Sequence, residues 1–172
     1  LSLSEWGLSA VEGETPSESP PDVILDEKEL FTSLGLAYVP PELREGRGEI
    51  EAAEERILPE LVELVDLRGV FHCHTTASDG SDRVEDLLAA ADVRGWEYVG
   101  ISDHSKASFQ ANGLDERRLL SQIEEIKEIN AAGKFNARAF SGIECDVLAD
   151  GSLDLKDDVL TQLDFVIASI HS

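Results

Sequence analysis

Short apolar segments alternate with amphipathic segments through the second half of this 172-residue chain. The apolar segments predict β-strands and the amphipathic ones predict helices, in the order strand 70–74, helix 84–94, strand 97–102, helix 114–132, strand 138–143, helix 157–162 and strand 164–170. A helix between each pair of strands is the pattern of βαβ units in a parallel sheet or barrel. Because such crossovers share one hand, the carboxyl ends of all four strands should meet at one edge. The pattern therefore predicts an α/β fold from residue 66 onward.

Two histidines stand two residues apart at the end of the first predicted strand. In a strand, side chains at i and i+2 point to the same face, so His72 and His74 should aim at one point. A short strand presents two nitrogen ligands to one metal in this way. Asp79 adds a carboxylate from the loop beyond. Taken alone, the stretch also fits a strand end with two ordinary polar histidines.

The other strand ends carry matching residue types. Asp103 and His104 follow the second strand, Glu144 follows the third, and His171 ends the fourth. The chain has four histidines, and all of them fall at these positions. Active sites of parallel α/β folds form at the carboxyl ends of strands. The joint placement favours a metal site over scattered structural histidines.

Imidazoles and carboxylates together suit Zn, Mn or Fe, and a bridging glutamate suits two metals about 4 Å apart. Such a pair activates water and binds the oxygens of a phosphoryl group during in-line displacement, so phosphoester hydrolysis is the preferred chemistry. Amide or ester hydrolysis on an amidohydrolase-like barrel is the weaker alternative. The sequence shows no Ser-His-Asp or Cys-His arrangement and no Walker or Rossmann glycine loop.

The chain is acidic throughout. Its formal net charge is -22, of which residues 1–65 carry -12 and residues 66–172 carry -10. Such a field repels nucleic acid and anionic membranes at low ionic strength. In molar salt the Debye length falls to about 3 Å and this repulsion disappears. Because arginine outnumbers lysine while acidic residues abound, we interpret the charge as a halophilic adaptation.

Two cysteines, Cys73 and Cys145, form no metal-binding pair and predict no disulfide framework. Strand alternation turns each away from the neighbouring ligand, which indicates free buried thiols in a reducing cytoplasm. No apolar segment is long enough to span a bilayer, so a cytoplasmic protein with no membrane contact is expected. The absence of methionine, even at position 1, predicts a processed chain or a piece of a longer one.

The first 65 residues have a different composition. Residues 1–8 alternate as a strand does, residues 9–21 are polar and proline-rich like a loop, and residues 26–35 and 49–56 predict short helices. We interpret residues 1–65 as the end of a preceding domain and a connector. A free-standing N-terminal extension fits the composition comparably well.

The motifs of residues 66–172 resemble a known family. The run His72-x-His74-Thr75-x-x-Ser78-Asp79-Gly80 and three later motifs, Ser102–Ser105, Gly142–Glu144 and Ser169–Ser172, look like the polymerase and histidinol phosphatase (PHP) domain. More closely, they look like the PHP domain attached to bacterial and archaeal family-X DNA polymerases. The stretch 29–52 is similar to the connector of that family, and residues 1–8 resemble the end of its polymerase module.

The resemblance implies a distorted (βα)7 barrel, present here in part, with two or three divalent metals. It implies that His72, His74 and Glu144 hold one metal and that Glu144 bridges to a second, held also by His171. Asp79 and His104 would help to hold a third, and Asp103 would only orient a neighbour. The implied activity is manganese-stimulated 3′–5′ exonuclease and related end-processing in DNA repair, with DNA bound through the full-length enzyme.

The sequence departs from the family pattern by ending at Ser172. The pattern continues with a further histidine and a late Asp-x-His, so we expect this chain to be part of a longer enzyme and to have little activity alone. Two alternatives stay open. One is a PHP small-molecule phosphatase of the histidinol-phosphate type, and the other is a PHP domain that braces the polymerase without catalysis.

Overall fold

The computed structural model describes residues 2–4, 7–9 and 24–171. The chain divides into two compact units, Leu1–Val62 and Glu63–Ser172. This division falls three residues before the predicted boundary, and the assignment of the two parts to a connector and a phosphoesterase domain remains a prediction. Residues 10–21 of the predicted polar loop lie outside the described residues.

The first unit contains a small antiparallel sheet and two short helices. Strand β1 (Ser2–Ser4) pairs with β2 (Gly7–Ser9). Helix α1 (Glu27–Ser33) begins after Asp26, whose carboxylate accepts a hydrogen bond from the backbone N–H of Glu29. This contact satisfies one of the N–H groups that the first helical turn leaves free. Helix α2 (Glu49–Glu54) follows, so both predicted helices of this part are confirmed.

The second unit is built on one parallel sheet. Its strands are β3 (Gly69–Cys73), β4 (Tyr98–Ile101), β5 (Arg138–Asp146) and β6 (Phe165–Ser169), and they lie in the order β3-β4-β5-β6. The connections contain helices α3 (Val84–Arg94), α4 (Glu116–Ala132) and α5 (Asp157–Leu160). Every neighbouring pair of strands is parallel. The four carboxyl ends therefore share one edge, as predicted.

Helices α3 and α4 bury their apolar faces against the sheet. On α4, Leu119, Ile123 and Ile126 recur at spacings of four and three, so they lie on one face and are almost completely buried. Full burial of such a side chain stabilises a fold by about 1.5–3 kcal/mol. The cores that they form with the sheet include Ile101 and Ile143. The side chains at the intervening strand positions, such as Glu144, point to the face of the sheet away from these helices.

Strand β3 carries a bulge that changes the direction of its side chains. Its pairing with β4 shifts register between Val70 and Cys73, and both of these residues pack against the core under α3. The two residues between them are thereby turned to the other face, where the Phe71 ring lies 5.0–5.5 Å from the rings of Phe140 and Phe165. Bulges often redirect side chains beside functional sites in this way. Simple alternation would have placed Phe71 on the Cys73 face.

The mixed α/β architecture and its parallel sheet are confirmed, whereas the barrel of seven βα units remains a prediction. Strand β5 is three residues longer than predicted, so Glu144 lies within the strand rather than after it. His171 lies two residues beyond the end of β6. Helix α5 ends at Leu160, two residues earlier than predicted. Within the described ranges, no helix has both the length and the apolar character needed to cross a bilayer.

Both cysteines are free, but only one is fully buried. Cys145 is buried, as predicted, whereas Cys73 is half-buried. Burial raises the pKa of Cys73, and burial together with the contact to Asp154 raises the pKa of Cys145 to about 12.

We expect Cys145 to resist alkylation in the native protein. With a pKa of about 12, its thiolate fraction at pH 8 is on the order of one in ten thousand, and the thiolate is the reactive form. Mass spectrometry after timed iodoacetamide treatment should show Cys73 labelled first and Cys145 only after denaturation. Equal native-state rates for the two thiols would contradict this burial.

Candidate metal centre

Glu144 lies at the centre of a cluster that contains every histidine of the chain. Its carboxylate is buried, with 8% of the side chain exposed. The Oε2 atom lies 3.3 Å from His72 Nε2, 3.3 Å from His74 Nε2 and 3.1 Å from His104 Nδ1. The Oε1 atom lies 3.4 Å from His171 Nε2. Residues from all four strand ends therefore converge on one carboxylate.

These separations fit a set of metal ligands better than a set of direct hydrogen bonds. Most are longer than the usual 2.7–3.0 Å of a charged N–H···O contact. Two ligand atoms that each lie about 2.1 Å from one tetrahedral metal are roughly 3.4 Å apart. In addition, His104 Nδ1 is buried and has no hydrogen-bond partner among the described residues. A buried acceptor or donor of this kind calls for a partner, and a cation would supply it.

Three overlapping groups of side chains could each hold a cation. They are His72, His74 and Glu144; His74, Asp79 and His104; and His104, Glu144 and His171. Within each group, the ligand atoms all lie within 4.8 Å of one another. Six predicted ligand positions are thus brought together. Two of these groups contain one more histidine than the family resemblance implied. His104 lies with Glu144 and His171, and His74 lies with Asp79 and His104.

Backbone hydrogen bonds hold His104 beside Glu144. After β4 the chain continues along β5, where Glu144 N–H donates to the Asp103 carbonyl at 3.0 Å and Ser105 N–H donates to the Glu144 carbonyl at 2.9 Å. On the other side, Leu114 N–H donates to the His104 carbonyl at 2.7 Å. Gly113 permits this approach, because a Cβ there would lie only 1.9 Å from the Ser105 carbonyl oxygen. His104 is therefore fixed from both sides.

Asp79 contacts two of the histidines from the loop after β3. Its Oδ1 atom lies 2.8 Å from His74 Nδ1, and its Oδ2 atom lies 3.5 Å from His104 Nε2. The hydrogen bond with His74 lowers the pKa of the Asp79 carboxyl below its usual value, although almost half of the side chain is exposed. The shorter contact orients the His74 ring so that Nε2 faces Glu144. The longer one has the separation of two ligands on a common cation.

Asp103 does not face the cluster but fixes the loop that carries it. The side chain is fully buried. One oxygen accepts hydrogen bonds from Thr75 N–H at 2.7 Å and from Ser78 Oγ at 2.5 Å. The other accepts from Thr75 Oγ1 at 2.7 Å and from Gln122 Nε2 at 2.6 Å. These four hydrogen bonds satisfy the buried carboxylate and hold the segment after His74 in place.

Sequence reasoning missed two residues that contact His171. Asp146 Oδ1 lies 2.6 Å from His171 Nδ1, and Ser108 Oγ lies 3.2 Å from the same nitrogen. Asp146 stands two residues after Glu144 on the same strand, so alternation places both on one face. That spacing is the signal that could have identified Asp146. Ser108 lies in a loop and gave no comparable signal.

Both carboxylates on β5 stay ionised at neutral pH. Burial opposes the charge of Glu144, but the nearby Ser169 hydroxyl and the imidazoles of His72 and His104 outweigh it and lower its pKa. The same balance, with His171 and Ser108 as donors, lowers the pKa of Asp146. In turn, the hydrogen bond with Asp146 raises the pKa of His171. The centre therefore combines anionic oxygens with imidazole nitrogens, the donor set typical of Zn, Mn and Fe sites.

A parallel α/β sheet with histidines and carboxylates at its carboxyl edge is typical of domains that bind catalytic metals. Comparison with protein families identifies which family this domain belongs to. The PHP domain family matches residues 71–172, which is more than half of the chain, and the chain belongs to this family. A second family, the DNA polymerase beta thumb, matches residues 1–45.

Individual relatives agree with both matches. The DNA polymerase/3′-5′ exonuclease PolX of Bacillus subtilis (strain 168) is 41% identical over 170 residues, which cover 99% of this chain and 28% of that protein. A probable phosphatase of Caldicellulosiruptor bescii is 31% identical over 103 residues, or 58% of this chain and 40% of that protein. One of Acetivibrio thermocellus is 31% identical over 102 residues, or 58% of this chain and 39% of that protein. The chain therefore spans well under half of these relatives.

Proposed function

We propose that this chain is the metal-dependent phosphoesterase part of a family-X DNA polymerase and that it removes nucleotides from DNA in the 3′–5′ direction. The convergence of four histidines on Glu144 is the observation that carries the proposal. The PHP match supports phosphoester chemistry, and the thumb match at residues 1–45 supports attachment to a polymerase. The remaining strands of a distorted (βα)7 barrel would belong to the same protein.

Two or three divalent cations, Zn, Mn or Fe, fit the side chains. His72 and His74 would hold the first with Glu144, and His171 would hold the second with the other oxygen of Glu144. Asp79 and His104 would hold a third. When bound, such cations supply Lewis acidity toward phosphate oxygens and lower the pKa of an attacking water.

The protein's own side chains determine where substrate can enter. The imidazoles of His72 and His171 are half-exposed, whereas those of His74 and His104 are more enclosed. The centre is thus open on the His72 and His171 side and closed beneath by Glu144 and by the loop that Asp103 fixes. A phosphate group would approach from the open side. The net charge of -22 opposes DNA binding at low salt, and the proposed halophilic adaptation rests on this same charge.

A small-molecule phosphatase is the second candidate. Its support is that the relatives named probable phosphatases match 58% of this chain. The match of residues 1–45 to a polymerase thumb favours the first candidate. A PHP domain that braces the polymerase without catalysis is the third.

One comparison separates these candidates. The intact protein, loaded with Mn²⁺, should shorten 5′-labelled DNA strands from the 3′ end and act poorly on small phosphate monoesters. EDTA should abolish the reaction. His74→Ala should abolish it with the fold intact, and Glu124→Gln, an exposed change on α4, should leave it unchanged. Preferential monoester hydrolysis would identify a phosphatase. Loss of folding in His74→Ala, without nuclease activity in the unchanged protein, would identify the bracing role.

A further inference from the structure

His171 is held by a hydrogen-bonded pair that belongs to none of the three ligand groups. Asp146 is 5% exposed and Ser108 is 7% exposed, so both are shielded from water. Ser108 Oγ donates to Asp146 Oδ2 at 2.8 Å, while Asp146 Oδ1 lies 2.6 Å from His171 Nδ1. One carboxylate oxygen of Asp146 therefore contacts Ser108, and the other contacts His171.

The contact with Asp146 determines which nitrogen of His171 carries the proton. One carboxylate oxygen accepts from Ser108 and the other lies 2.6 Å from Nδ1, so Nδ1 of His171 is the donor of that hydrogen bond. In a neutral imidazole the other nitrogen then has a free lone pair. That nitrogen, Nε2, faces the centre, where it lies 3.4 Å from Glu144 Oε1 and 3.3 Å from the rotatable hydroxyl of Ser169. The contact with Asp146 therefore presents the lone pair of His171 to the position of a cation.

The position of Asp146 is itself fixed by its neighbours. Its backbone N–H donates to Ser105 Oγ at 3.0 Å, and the next residue, Val147, donates its N–H to the Ser169 carbonyl at 2.8 Å. These contacts tie the end of β5 to the segments that carry His104 and His171. A buried carboxylate with so many constraints has little freedom to rotate.

We propose that Asp146, supported by Ser108, is a positioning residue that fixes the tautomer and ring orientation of His171 for metal binding. The proposal rests on the proposed metal centre and deepens it. Carboxylates that accept from the second nitrogen of a ligating histidine strengthen metal binding about 10–100-fold. Ser108→Ala removes one donor of the pair, so its effect should be smaller than that of Asp146→Ala.

The experiment compares Asp146→Ala, Asp146→Asn and the control Asp150→Asn in the intact protein. Asp150 lies on the same segment but bonds only to Ser152 among the residues that the structure describes, so its substitution changes the charge equally without touching His171. In Asp146→Ala, the Mn²⁺ affinity of the site that uses His171 should fall about 10–100-fold. Asp146→Asn should retain part of the affinity, because its amide oxygen still accepts from Nδ1. Asp150→Asn should match the unchanged protein.

A second readout does not depend on metal or on activity. ¹⁵N–¹H NMR of the metal-free protein, at a pH where His171 is neutral, should show the Nδ1–H tautomer and its loss in Asp146→Ala. An unchanged tautomer together with unchanged Mn²⁺ affinity would overturn the proposal. If the unchanged protein bound no Mn²⁺ while the tautomer shifted as expected, the proposed function would fail and the positioning contact would stand.

Discussion

Replacing Glu144 by glutamine is expected to weaken Mn²⁺ binding more than about 100-fold and to abolish phosphodiester hydrolysis, because it changes the one carboxylate that two of the three ligand groups share. Its two oxygens face different histidines, with Oε2 toward His72, His74 and His104 and Oε1 toward His171. An amide supplies only one oxygen and no negative charge. Equilibrium dialysis against Mn²⁺ with metal counting measures the effect.

The fold should survive this substitution. Glutamine has nearly the same volume, and the backbone of Glu144, which bonds to Asp103 and Ser105, is unchanged. Thermal unfolding of the metal-free variant should therefore stay close to that of the parent. Glu124→Gln makes the same chemical change on the surface of α4 and should bind metal normally. Full metal occupancy in Glu144→Gln would show that the cations do not use this carboxylate.

Replacing Asp103 by alanine should cost about 3–5 kcal/mol of unfolding free energy. The substitution leaves four buried donors without their acceptor, two from Thr75, one from Ser78 and one from Gln122. Each unpartnered buried group costs about 1–3 kcal/mol, reduced where the segment relaxes. Urea unfolding of the metal-free protein measures the loss, which is unrelated to any role in metal binding.

Asp103→Asn is the matched control, and it should lower the free energy of unfolding much less than Asp103→Ala does. Gln122 Oε1 is buried and has no partner among the described residues, so a rotated Gln122 amide could accept from the new side-chain N–H₂. The remaining oxygen would still accept from Thr75 N–H and Ser78. We therefore expect Asp103→Asn to lie closer to the parent than to Asp103→Ala. Equal losses for the two variants would show that charge, rather than hydrogen bonding, makes Asp103 necessary.

The positions of the candidate ligands at one edge of the sheet could be predicted because two simple rules govern them. The spacing of His72 and His74 matches a strand, and parallel strands bring their carboxyl ends together wherever helices intervene. These rules placed His104, Glu144 and His171 at one edge without any knowledge of distances. They also predicted that Cys145, next to Glu144, points into the core.

The remaining features depend on contacts that periodicity does not encode. The bulge in β3 arises because Val70 and Cys73 both pack under α3, which turns Phe71 and His72 to the same side. The donors to Asp103 come from Thr75, Ser78 and Gln122, which lie 19–28 residues away in sequence. Because such pairings form only after the helices dock, no local pattern reveals them. Ser108 escaped notice for the same reason.

The most direct measurement is anomalous diffraction from a crystal of the intact protein soaked in Mn²⁺. We expect peaks about 2.0–2.3 Å from the Glu144 carboxylate oxygens, with Nε2 atoms of His72, His74 and His171 as further ligands. Manganese bound only at other positions, with the four imidazoles hydrogen-bonded directly to Glu144, would contradict the proposed metal centre.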